Sequence, residues 1–132
     1  MKQFGLSSKE RIKSKKEFEL VFSRGETLFS SSNRLKATFF IERNSDIIGI
    51  KVAFAVSKKS GNAVWRNRVK RLFRESYRLN KSKIKSDCEL KRLRILLVIS
   101  PNTINQTNNK KIYLKDIEND VIDILNQIRS KL

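Results

Sequence analysis

The chain contains no histidine and a single cysteine, Cys88. Without histidine there is no imidazole general base, no Ser/His dyad and no His-containing zinc site, and one thiol cannot close an internal disulfide. No apolar run approaches the ~20 residues a bilayer-spanning helix needs. The N-terminal MKQFGLSSKERIKSKKEF has no apolar centre of a secretory signal, so a cytoplasmic location is expected, with no membrane partner. Glycine-rich nucleotide loops, internal repeats and low-complexity segments are missing as well, and the scattered Asp and Glu include no pair spaced for acid/base work. Most protein-borne chemistry is thereby excluded. Negative charge is also scarce: 13 Asp and Glu stand against 30 Lys and Arg, a net +17 at pH 7. That excess goes well beyond the needs of solubility and points to a polyanion as partner. A length of 132 residues with 39% hydrophobic content suits one folded domain, residues 1–132, rather than a disordered basic tail.

Periodicity divides the chain into alternating elements. Ser14 followed by Glu17 has the form of a capping box, and Phe18, Val21 and Phe22 then share one helical face until Arg24-Gly25, giving a helix over 14–24. After the polar SSSN at 30–33, Leu35, Ala37, Phe39 and Ile41 alternate with Lys36, Thr38, Phe40 and Glu42 as in a strand. A turn at Asn44-Ser45-Asp46 leads into IIGIKVAFAVS, apolar or small on both faces, which predicts a central strand covered twice. A second helix follows, with Asn62 as N-cap and Gly61 supplying the turn's backbone angles. Residues 81–92 lose the period and read as a basic loop in which Cys88 is an incidental thiol. LRILLVIS (93–100) is a buried strand, and NTINQTNNKK a loop. A final helix carries the stripe Leu114, Ile117, Val121, Ile124, Leu125, Ile128 and Leu132. The order helix, strand, strand, helix, strand, helix predicts a two-layer α/β sandwich of helices on a sheet.

The second helix holds most of the functional signal. Within GNAVWRNRVKRLFRESYR (61–78), Trp65, Val69, Leu72 and Phe73 fill an apolar arc that Leu79 extends. The rest of the circumference bears Arg66, Asn67, Arg68, Lys70, Arg71, Arg74 and Arg78. An ordinary charged helix face is merely solvated, but such faces interleave signs in i,i+4 pairs that each stabilise by ~0.2–0.5 kcal/mol. Here Glu75 is the only carboxylate, and like charges one turn apart oppose folding by similar amounts. A counter-charge from outside is required. Guanidinium forks match phosphate oxygens, Lys58 and Lys59 add mobile point charges, and the first-turn N–H groups offer a further anion contact. Such contacts hold a nucleic acid without reading its sequence. Phe18, Phe22 and Phe39 raise a second possibility, an aromatic floor on which unpaired bases stack, although phenylalanines at this spacing usually belong to a core. Phe40, Phe54 and Phe73 are assigned to the core.

AVSKKSGNAVWRNRVKRLFRE (55–75) resembles the signature of the bacterial ribonuclease P protein subunit family, with an Arg-Asn-Arg motif after a Lys-Lys-x-Gly-Asn-Ala-Val lead-in. RIKSKKEFELVFSRG (11–25) is similar to that family's first helix and NRLKATFF to its first strand, while the final third matches in pattern alone. The resemblance implies a mixed sheet with a left-handed strand-helix-strand crossover, against the usual right hand. It also implies a monomeric cofactor protein for a catalytic RNA that removes the 5′ leader from precursor tRNA. By the resemblance, Lys58, Lys59, Asn62, Arg66, Asn67, Arg68, Lys70, Arg71 and Arg74 contact the catalytic RNA. Phe18, Phe22 and Phe39 line a cleft for the leader, Phe39 standing where the family often has tyrosine. The catalytic Mg²⁺ is expected on the RNA, so no protein residue is assigned a catalytic role. A structural RNA-binding protein, such as a ribosomal or assembly factor, is the alternative at the level of composition and fold. A protein-only nuclease fits less well.

Overall fold

The computed structural model describes residues 8–132; residues 1–7, part of the stretch read for a secretory signal, lie outside the described residues. Helix α1 (Lys15–Arg24) starts where the sequence places it, with the Ser14 hydroxyl accepting the Glu17 N–H at 3.0 Å. At its end the Gly25 N–H donates to the Val21 carbonyl at 2.9 Å. A β-carbon on Gly25 would lie 2.6 Å from the Phe39 carbonyl oxygen, so glycine is what lets the chain turn this tightly against the sheet.

Four strands form the sheet: β1 (Glu26–Phe29), β2 (Leu35–Arg43), β3 (Gly49–Phe54) and β4 (Leu93–Pro101), in spatial order β1-β2-β4-β3. Strand β2 is antiparallel to β1 and β4, whereas β3 runs parallel to β4. The parallel pair is joined through α2 (Ala63–Asn80) and α3 (Ser82–Lys91), and α4 (Leu114–Arg129) closes the chain. This is a mixed-sheet α+β fold.

Strand β4 is central and buried on both faces, as its unbroken apolar run requires. Its Leu93, Ile95, Leu97 and Ile99 join the main core under α2, α3 and α4, built on Trp65, Val69, Phe73, Ile117, Val121 and Ile124. Leu96 and Val98 face the other way, where Val21 of α1 and Ile12 complete a second, smaller cluster. Helix α1 therefore adds partial cover to the face that α2–α4 leave open.

Three expectations need correction. Strand β3 is an edge strand rather than a central one; its apolar outer edge is closed by the preceding chain, with the Ile12 N–H on the Val52 carbonyl at 3.0 Å and Arg11 bridged to Val52. Residues 82–91 are helical, not a loop, and Cys88 is fully buried beside Ile84 one turn away. Burial pushes its thiol up to about 11, with Asp87 and Glu89 adding to the effect. Strand β1 adds a fourth strand that periodicity does not mark, because Leu28 is the one buried residue in its four.

Candidate nucleic-acid interface

Helix α2 is fixed at its N-terminal half by a set of polar ties. The Asn62 side chain caps it, accepting the Trp65 N–H at 2.9 Å. The indole Nε1 donates to the Asn109 carbonyl at 2.9 Å, Arg68 Nε donates to the Ile112 carbonyl at 2.9 Å, and the Asn62 N–H donates to Gln106 Oε1 at 2.8 Å. Gly61 has an extended φ of 171°, which any residue adopts. Its requirement is space, because a β-carbon there would lie 2.8 Å from the Trp65 ring and 2.9 Å from Gln106. The expectation of free first-turn donors is correspondingly reduced, since the Asn62 and Trp65 N–H groups are already bonded.

With the Trp65, Val69, Phe73 and Tyr77 stripe in the core, the cations of α2 turn outward. Lys58 and Lys59, in a 3-10 turn (Lys58–Ser60) just before the helix, are exposed, as are Asn67, Arg71 and Arg74, while Arg66, Arg68 and Lys70 are half-buried. Among the described residues, none of Lys58, Lys59, Arg66, Arg68, Lys70, Arg71 and Arg74 takes part in an ion pair. Carboxylates are engaged elsewhere: Glu75 with Arg78, Asp120 with Arg34 at 3.0 Å, and Asp87 with Arg129 at 2.6 Å. Arg66 Nε is buried without a protein partner. A row of unneutralised positive charge on one helix is what a phosphate backbone fits.

One flank of α2 opens into a cleft of about 610 Å³. Lys70 stands on the helix side, Phe22 of α1 on the other, and Thr27, Lys36, Thr38, Val98 and Ser100 come from the sheet. The wall formed by α1 is held by Glu17, whose carboxylate accepts from Lys51 Nζ on β3 at 3.1 Å and Arg94 Nη2 on β4 at 3.0 Å. Burial works to raise the Glu17 pKa, but these two cations outweigh it and hold the group below the ordinary carboxylate range.

The three candidate phenylalanines separate. Phe22 is 60% exposed at the cleft. Phe18 shares its helical face but is half-buried, packed in the smaller cluster with Phe40 and Ala53. Phe39 does not reach the cleft: its ring is buried in the main core on the opposite side of the sheet. Alternation decides this, since Leu35, Ala37 and Phe39 point to α2 and α4 while Lys36 and Thr38 point to the cleft. Phe40, assigned to the core, has the cleft-side parity and lies beneath Arg24, whose guanidinium is 5.9 Å from the ring centroid. Lys36, Thr38, Ser57 and Ser100 line the cleft without having been expected there. For Lys36 and Thr38 the signal is present in the polar half of the alternation.

A sequence model of the Ribonuclease P family matches residues 6–124. The chain belongs to the ribonuclease P protein component family. Relatives within it include the Ribonuclease P protein component of Alkaliphilus metalliredigens (strain QYMF), 31% identical over 124 residues, which cover 94% of this chain and 97% of that one. The Ribonuclease P protein component of Clostridium botulinum (strain Loch Maree / Type A3) is 41% identical over 115 residues, 87% and 90% of the two chains. Among solved structures, the RNase P protein of Staphylococcus aureus has a TM-score of 0.65 at 24% identity, covering 91% of this chain and 94% of its own. That of Thermotoga maritima has a TM-score of 0.66 at 21% identity, with 89% and 96% covered. At those identities the likeness concerns the fold. Both α1 and the Arg66-Asn67-Arg68 segment fall inside the family match.

Proposed function

We propose that this chain is the protein subunit of ribonuclease P, binding the catalytic RNA through the cations of α2 and holding the 5′ leader of precursor tRNA in the adjoining cleft. The observation that carries this reading is the unpaired cation row of α2 running, through Lys70, into a cleft with an exposed phenylalanine at its mouth. Arginine forks neutralise phosphates of the catalytic RNA and fix the protein upon it. Lys36 and Lys70 attract the backbone of a single strand, the hydroxyls of Thr27, Thr38 and Ser100 bond to it, and Phe22 stacks under a base.

Cleavage itself is assigned to the RNA. The polar side chains that line the cleft are the hydroxyls of Thr27, Thr38, Ser57, Ser60 and Ser100 and the ammonium groups of Lys36 and Lys70, beside apolar Phe22, Val56 and Val98. Two ammonium groups repel a divalent cation, and Mg²⁺ is usually held by one or two carboxylates together with substrate phosphates and water, which this lining does not supply. In this reading the protein screens phosphate repulsion and positions the substrate, as one copy of the chain working in the cytoplasm. No helix of the described residues is long and apolar enough to cross a membrane.

Reconstitution tests the reading. Added to the catalytic RNA at low Mg²⁺, the protein is expected to restore 5′ leader removal from precursor tRNA. RNA binding without any stimulation of cleavage would instead favour a structural RNA-binding role.

A further inference from the structure

Helix α2 has a second flank, away from the cleft, and the structure builds something there. The segment between β4 and α4 is clamped to this flank by the bonds from Trp65 Nε1 to Asn109 and Arg68 Nε to Ile112. Directly after the clamp comes Tyr113, which is 50% exposed. Its backbone is fixed by its N–H, which donates to Asp116 Oδ2 at 2.8 Å. Two cations attend the ring: the Arg68 guanidinium at 5.9 Å and Lys115 Nζ at 6.0 Å from its centroid. Lys110 and Lys111 are exposed just upstream, and neither they nor Lys115 form an ion pair among the described residues. Glu118 lines the same shallow depression, but it accepts Nδ2 of Asn80 at 3.1 Å.

We infer that Tyr113 is a nucleotide-stacking site: an unpaired base of the catalytic RNA lies on its ring while Lys110, Lys111 and Lys115 take the flanking phosphates. This inference rests on the proposed role of α2 and extends its RNA footprint across the clamped segment. An exposed ring is not required by the core. Aromatic faces held among free cations match single-stranded nucleic acid, where stacking and phosphate neutralisation act together. Arg68 links the two regions, since it belongs to the Arg-Asn-Arg segment and stands over the tyrosine. The assignment to catalytic RNA rather than leader follows from position. Lys70 faces the cleft, and Arg68, two residues and roughly 200° earlier around the helix, lies on another side of it.

The test uses the full chain and the catalytic RNA, with binding measured by fluorescence anisotropy for Tyr113→Ala and Tyr113→Phe. Alanine is expected to weaken catalytic-RNA binding about tenfold, a value within the range for losing one stacked base. Phenylalanine, which keeps the ring, is expected to bind as the parent does. The preference of the assembled enzyme for precursor over mature tRNA should be unchanged in both. If Tyr113→Ala binds the catalytic RNA like the parent while Arg71→Ala/Arg74→Ala does not, the stacking site is refuted and the role of α2 stands. If Tyr113→Ala shifts the precursor preference alone, the site belongs to the leader and the inference is again refuted. A parent protein that binds no catalytic RNA would overturn both.

Discussion

Phe22 keeps 60% of its surface in contact with water at the mouth of the cleft, so it gains little from burial and its removal costs the fold little. What Phe22→Ala should cost is substrate: precursor tRNA is expected to bind the assembled enzyme about tenfold more weakly, within the range for one base left unstacked. Mature tRNA, lacking a leader, should bind as before, and competition between the two substrates measures the difference. Glu17 acts earlier on the same helix, tying α1 to β3 and β4 through Lys51 and Arg94. Because its folded pKa lies below the unfolded value, its stabilising effect is complete at neutral pH and fades as acidification carries the solution below the usual carboxylate range and through the depressed folded value. Glu17→Gln should lower the melting temperature at pH 7 and flatten the acid limb of the stability profile, as read by thermal melts across pH. Single-residue roles of this kind are only partly legible in the sequence. Helical spacing correctly groups Phe18 with Phe22, but spacing within α1 says nothing about β2, where Phe39 is one residue out of register with the cleft. The two-residue alternation already places Phe39 with Leu35 and Ala37, on the face away from Phe18 and Phe22; the aromatic-floor reading and the family resemblance both set that alternation aside.

At the scale of elements, helix α2 is readable because two strong periodic signals coincide in it, an apolar stripe and a cationic remainder, with Asn62 marking the start. Helix α3 is not, for a physical reason: only Ile84 and Cys88 turn inward and Leu90 is 80% exposed, so a helix that covers one small area of core leaves no stripe. The position of β3 is equally hidden, since an edge covered by a preceding segment looks, residue by residue, like a central strand. The exposed cations of α2 lend themselves to a cleaner experiment than the half-buried ones. Arg68 is tied to the Ile112 carbonyl, so its loss would mix packing with charge, whereas Arg71 and Arg74 are exposed and free of ion pairs. Arg71→Ala/Arg74→Ala should leave the melting temperature of the free protein unchanged or slightly raised, because two like charges are removed. Its catalytic-RNA affinity should fall, and the slope of log affinity against log salt should shrink by about two, near one for each phosphate no longer neutralised. Binding titrations at several salt concentrations provide both quantities.

For the whole molecule, a net +17 means that folding brings like charges together on a small body, and α2 with the turn before it concentrates seven of them (Lys58, Lys59, Arg66, Arg68, Lys70, Arg71, Arg74) without an ion pair among the described residues. Several carboxylates that could offset them serve the scaffold instead, Glu17 between α1 and the sheet, Asp120 and Asp123 between α4 and the β1–β2 turn. Salt therefore acts in two directions. Screening the exposed cations relieves repulsion over a Debye length of ~10 Å at 0.1 M, while the shorter and partly buried ion pairs of the scaffold are screened less. Moderate salt should raise the melting temperature of the free protein. The same ions compete for the RNA phosphates, so affinity for catalytic RNA should fall steeply over that range, and the stabilisation that bound RNA confers should fall with it. Melting curves with and without catalytic RNA should therefore converge as salt increases, the free protein rising to meet the complex. A free protein that melts at lower temperature as salt is added would mean that ion pairs, not unpaired cations, dominate its electrostatics, and the exposed face of α2 would lose its claim to be held in readiness for a polyanion.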